Sequence, residues 1–118
     1  MKHLHLFLVL CLALVGCASS ADKPFEGFFI YGHEVSDFKP CNGSDNYWLN
    51  GESSSMELIE NASMQLSKKT GKPYQAIYVQ FSGYIDERPP TGFEQGTDGL
   101  LYMTELLTYS ENAPETCQ

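Results

Sequence analysis

Few residues in this 118-residue chain are of types that do chemistry, and their spacing argues against most of it. His33 stands beside Glu34, a pairing suited to metal ligation or proton transfer. Of the three histidines, His3 and His5 fall in an apolar leader, and no cysteine or second imidazole flanks His33 at ligand spacing. His33 therefore reads as a structural imidazole holding a turn, and no metal site is expected. Asp37, Asp45, Asp86, Glu87 and Asp98 offer carboxylates for acid-base work, but nothing in the sequence pairs any two of them. No serine sits in a nucleophile-elbow pattern, and no glycine-rich loop precedes a helix to cradle phosphate. The expectation is no catalytic residue, no cofactor and no enzyme.

Four cysteines are the remaining reactive groups. Lys2 precedes an uncharged run over residues 6–15 that contains Cys11. At about ten residues this run is too short to span a bilayer and right for the apolar centre of a signal peptide. It ends in Leu14-Val15-Gly16-Cys17, which resembles the lipobox of bacterial lipoproteins. That resemblance implies a signal peptide over 1–16, cleavage before Cys17 and acylation of its thiol. Residues 17–24 would then be a lipidated cysteine and a short tether to the membrane. The lack of aspartate at Ala18 and Ser19 implies the outer membrane, facing the periplasm. The alternative is an ordinary signal peptide cut near Ser19-Ser20-Ala21, with Cys17 discarded. Cys41 and Cys117 are left as a pair in an oxidising compartment, where a disulfide is expected. It would close a loop of about 77 residues, which the chain-entropy model values at roughly 4.5 kcal/mol. Free thiols or a redox-active pair are the sharper alternative, but the wide spacing lacks the Cys-x-x-Cys arrangement that lowers a thiol pKa.

The elements that must position these groups can be read in order. Once the leader is removed, about 100 residues remain, enough for one domain over 25–118 and not for two. Gly27 and Gly32 bracket Phe28-Phe29-Ile30-Tyr31, a strand covered on both faces. Gly32-His33-Glu34 bends the chain into an alternating second strand that Pro40 stops. Asn42-Gly43 marks a turn, and Tyr47-Trp48-Leu49 is a third strand. Ser54 and Glu57 have the spacing of a capping box, ahead of a helical stripe of Leu58, Ile59, Ala62 and Leu66. Lys68 and Lys69 suit the last turn, and Gly71 ends the helix. Residues 74–85 alternate strictly, with Ile77, Val79, Phe81 and Ile85 on the core side and Tyr78, Gln80, Ser82 and Tyr84 on the other. Residues 86–98 hold Pro89, Pro90, Gly92 and Gly96 and read as an irregular loop of a length that is often functional. Residues 100–109 form the last strand, whose Leu-Leu pairs point to a bulge.

Three strands, a helix and two strands make up a mainly β, OB-fold-like five-stranded barrel with its helix between the third and fourth strands. Tyr31-Gly32-His33-Glu34-Val35, Phe38, Pro40, Cys41, Tyr47-Trp48, Pro73-Tyr74 and Tyr78-Val79 resemble small proteobacterial lipoproteins. These are similar in turn to the C-terminal OB domain of the copper-homeostasis and surface-sensing lipoprotein NlpE. The resemblance covers about residues 25–117 and implies a disulfide-closed barrel in an envelope lipoprotein linked with stress signalling. The chain has no counterpart of the N-terminal NlpE domain with its Cys-x-x-Cys.

Charge narrows the partner. Without Lys2, six basic residues face 15 acidic ones, so the counterion release that drives nucleic-acid binding has nothing to work with. Candidate contact residues are Trp48, Tyr78 and Tyr84 on strand faces, with Asp86, Glu87, Arg88 and Phe93 in the long connection. A connection this acidic should meet a neutral or cationic ligand: a peptide segment, a basic protein surface or a polar glycan. The leading reading is a non-enzymatic, membrane-tethered accessory module for another envelope component. The alternative is an envelope-stress or redox sensor related to NlpE, with metal handling third.

Overall fold

The computed structural model describes residues 22–117. The leader, Cys11, Cys17 and the tether up to Ala21 lie outside the described residues. The elements run β1 (Lys23–Gly32), β2 (Val35–Pro40), β3 (Tyr47–Gly51), α1 (Ser53–Thr70), β4 (Ile77–Asp86), a 3-10 turn (Gly92–Gly96) and β5 (Gly99–Ser110). Strand β1 takes in Lys23 and Pro24, so regular structure starts inside the segment read as tether. The strands close into one barrel in the order β1-β2-β3-β5-β4. β3 and β5 are parallel, while the other neighbours are antiparallel. This is an OB-like barrel, with its helix where the sequence places it.

β1 serves two neighbours, pairing β4 through its first residues and β2 through its last. Gly27 lies where both pairings overlap, and a Cβ there would collide with the Lys39 carbonyl. Only glycine allows the backbones to approach so closely at this bend. β5 carries two bulges: the partners of Gln80 and Phe81 skip from Thr108 to Leu106, and those of Ser82 and Gly83 from Glu105 to Met103. The extra residues curve the strand around the barrel. The first bulge lets Leu106 pack on the core and leaves Leu107 exposed.

The core is Phe29, Phe38, Leu49, Ile77, Val79, Phe81, Leu101 and Met103, closed at one end by Met56 and Ile59 of α1. Phe81 is central, edge-on to Phe38 at 5.0 Å and stacked on Phe25 at 5.3 Å. Each such side chain contributes roughly 1.5–3 kcal/mol relative to leaving it in water. Ser63, fully buried, stitches α1 to the sheet: its Oγ accepts the Tyr31 amide at 3.0 Å and donates to the Gln75 carbonyl at 2.7 Å.

Three local expectations are corrected. The Ser54–Glu57 capping box does not form, because the helix begins at Ser53 with Glu52 as its N-cap and no side-chain cap bond. β3 ends at Gly51, so the strand-to-helix junction and not the box sets the start. The buried helix face runs through Met56, Ile59 and Ser63, and Leu58 is exposed. Ile85 is 52% exposed and not in the core, although its partner on β5, Leu101, is buried; it stands one residue from the end of β4. The C-terminal end of the helix is as read, with Lys68 and Lys69 in the last turn and Gly71 left-handed at φ 71°.

Cys41 and Cys117 are bonded, with Cα atoms 4.6 Å apart. Cys117 is buried, and Asn42 Nδ2 donates to the Thr116 carbonyl at 3.1 Å beside it. The staple ties the tail to the start of the β2–β3 loop. Among the described residues no helix is long and apolar enough to cross a membrane.

Candidate functional site

Residues paired across strands share a face of the sheet. Leu49, Leu101 and Met103 point inward, so their neighbours Trp48, Asn50, Leu100 and Tyr102 lie on the other face, where Trp48, Asn50 and Tyr102 are half-buried and Leu100 is fully covered. The register sets two rows across β3, β5 and β4: Trp48, Leu100, Asp86 and Asn50, Tyr102, Tyr84. The Tyr84 and Tyr102 rings stack at 5.4 Å. This face thus joins Trp48, Tyr84 and Asp86, three of the residues singled out from sequence.

The connection between β4 and β5 folds back onto this face, irregular except for the 3-10 turn at Gly92–Gly96. Thr91 caps its 3-10 turn in a reciprocal box with Glu94. Arg88 grips Glu94 with two bonds, Nη1 to Oε1 at 2.8 Å and Nη2 to Oε2 at 2.6 Å. Arg88 Nε also lies 3.4 Å from Asp86 Oδ2. Glu94 Oε1 accepts the Thr91 amide at 3.0 Å, and Oε2 accepts Asn50 Nδ2 at 3.2 Å. Asn50 Oδ1 in turn accepts Trp48 Nε1 at 3.2 Å. These bonds form a clasp that locks the connection to β3. The Arg88 guanidinium, helped by the Thr91 amide and Asn50, holds the Glu94 carboxyl down to about 2 despite its burial.

The clasp changes what the connection can offer a ligand. Asp86 and Glu94 are taken by Arg88, and Asp98 Oδ2 accepts the Asn46 amide at 2.7 Å. These carboxylates, expected to greet a ligand, also hold the loop. Glu87 stays exposed, and Phe93, at 60% exposure, projects from the 3-10 turn.

A cleft opens beside the clasp. β2 and β3 are in register only through Asp37 with Trp48 and Phe38 with Tyr47. Beyond that point Ser36 Oγ donates to the Leu49 carbonyl at 2.8 Å, and the start of α1 sits against the seam. The result is a cleft of about 350 Å³ whose lining includes Tyr31, Ser36, Trp48, Asn50, Met56 and Glu60. Burial, and then the nearby Glu57, push the Glu60 carboxyl upward. No cation pairs with Glu60 among the described residues.

Other candidates lie elsewhere. Tyr78 is 5% exposed, with its hydroxyl donating to Glu26 and accepting from Gln80 Nε2 at 2.6 Å. Its role as an exposed contact is corrected, since packing beside β1 and the bond to Glu26 cover it. The His33 side chain is 84% exposed on the β1–β2 turn, 3.0 Å from Glu34, and no metal-ligating cluster occurs among the described residues. Asn50, Glu60 and Tyr102 were not singled out in the sequence, and Glu94 counted there only as one acid of the long connection. Glu94 had a legible signal: Thr91-Gly92-Phe93-Glu94 is a Thr-x-x-Glu capping box, the motif sought at Ser54. Comparison of the chain with family models, curated proteins and solved structures gave no match.

Proposed function

We propose that this chain is a non-enzymatic binding module of a bacterial envelope, anchored at Cys17 by lipid to the outer membrane and facing the periplasm. It meets another envelope component, through a neutral or cationic segment, with the face formed by β3, β5 and β4. The observation that supports this reading most is the aromatic band of Trp48, Tyr102 and Tyr84, fixed in register and bordered by a clasped connection that projects Phe93. A stiff aromatic surface binds at low entropic cost, because little must be ordered on contact. Kinship with NlpE remains part of the proposal. A sensor read through Cys41 and Cys117 has less support, since Cys117 is 1% exposed and poorly placed for thiol exchange.

Photo-crosslinking in cells tests the reading. A photoreactive side chain at Phe93 should capture a defined envelope component, and one at Leu107, exposed near the opposite end of β5, should not. Equal capture at both positions, or at neither, rules the reading out. Fatty-acid labelling lost in Cys17→Ser checks the anchor.

A further inference from the structure

We infer that the cleft at the β2–β3 seam is the subsite for a lysine or arginine side chain of an extended peptide, with Glu60 as its counter-charge and Trp48 and Tyr31 as its aromatic walls. This rests on the proposed binding role and names the ligand chemistry for one part of it.

Three observations converge. The cleft, at about 350 Å³, is within the range of small-ligand sites and is lined by aromatic, polar and acidic groups together. Cations are attracted to the faces of Trp and Tyr rings, most strongly where water is partly excluded. Glu60 reaches the same cleft without a cation of its own among the described residues, whereas Glu94, across Asn50, is fully matched by Arg88. A carboxylate held in a partly desolvated position beside a second acid, Glu57, gains most from an incoming cation. The whole chain carries a net charge of −8, which steers cationic partners toward it.

The shape of the cleft favours a peptide over a free amine. The first turn of α1 borders the cleft at Ser53 and has no side-chain cap. Its free amides can donate to a peptide carbonyl while the side chain reaches Glu60. Trp48 is kept in place by Asn50 and so, through Glu94, by the clasp. The wall of the subsite is therefore preorganised.

Trp48 is the only tryptophan in the chain, so its fluorescence reports on the cleft directly. The full-length protein in uncharged detergent micelles is titrated with blocked Gly-Lys-Gly and Gly-Arg-Gly peptides, and with the norleucine peptide as the isosteric neutral probe. The lysine and arginine peptides should change the emission saturably, and the norleucine peptide should bind about fivefold more weakly or worse. Glu60→Gln should weaken the cationic peptides by a similar factor without moving the melting temperature downward, and Glu105→Gln, an exposed acid on β5, should change nothing. The inference is overturned if emission does not change with millimolar peptide, if norleucine binds as well as lysine, or if Glu60→Gln binds like the parent. Capture at Phe93 that persists in Glu60→Gln overturns the subsite alone. Loss of capture in the unsubstituted protein overturns the binding role.

Discussion

Glu94 and Glu60 are the same residue type on either side of Asn50, and the fold treats them in opposite ways. Glu94 accepts from Arg88, Thr91 and Asn50, and its carboxyl is held down to about 2. Glu60 has no cation among the described residues, and burial pushes its carboxyl upward. The difference is one of donors, since both are partly removed from water. A satisfied carboxylate builds structure, as Glu94 does by pinning the connection. An unsatisfied one beside a cleft is free to be satisfied by something else.

The largest expected effect lies outside both regions and serves as the control. Replacing Cys41 and Cys117 with serine should cost roughly 3–4.5 kcal/mol in urea unfolding, from the longer reach of the unfolded chain. The titration of both glutamates should stay as it is, because the groups that set it, Arg88, Thr91 and Asn50 for Glu94 and burial with Glu57 for Glu60, do not include the staple. A change in either would mean that the two regions are not locally determined.

Glu94→Ala comes next. It leaves Arg88, the Thr91 amide and Asn50 without their shared acceptor and should cost about 2–3 kcal/mol, together with faster amide exchange across 86–98. The pH dependence has a definite sign. Because the folded carboxyl is depressed, its contribution is complete above the ordinary carboxylate pKa and is lost as pH falls toward about 2. The unfolding midpoint of Glu94→Gln should lack that acid-side decline. If the decline persists unchanged, Glu94 is not the group that anchors the connection.

A smaller effect is expected where the regions meet. Trp48→Phe keeps an aromatic wall but removes the indole bond to Asn50, and should cost about 0.5–1.5 kcal/mol. Glu60→Gln should have the smallest effect and the opposite sign. A raised carboxyl makes ionisation unfavourable to the fold, so stability declines as pH rises from the ordinary pKa through the raised one. Glu60→Gln should therefore be slightly more stable than the parent at neutral pH and equal to it at low pH. A destabilised Glu60→Gln would show that Glu60 has a partner after all and would remove the contrast.

Much of the barrel was legible from local pattern. Alternation over 74–85 marked β4, the glycines around residues 28–31 bounded the strand heart of β1, and Lys68, Lys69 and Gly71 marked the end of α1. These signals are carried by neighbours in sequence and survive whatever packs against them. Ile85 and Leu58 failed for the complementary reason, because alternation and helical spacing say which way a side chain points but not whether anything is there to cover it. Tyr78 failed in the other direction, since a residue on the polar face is buried once β1 and Glu26 lie beside it. The site was only half visible: Trp48, Tyr84 and Asp86 stood out by type, while Asn50 and Tyr102 gained meaning from register alone.

By itself the sequence determined the order of elements, the pairing of the last two cysteines and the acidic character of the surface. Those follow from periodicity, from turn residues and from counting, which need no third dimension. The tertiary structure decided which carboxylates are spent on holding the chain and which is left facing a cleft. That distinction depends on where Arg88 and Asn50 arrive from distant parts of the sequence, and charge pairing over a few ångströms is set by the closed barrel and not by neighbours along the chain.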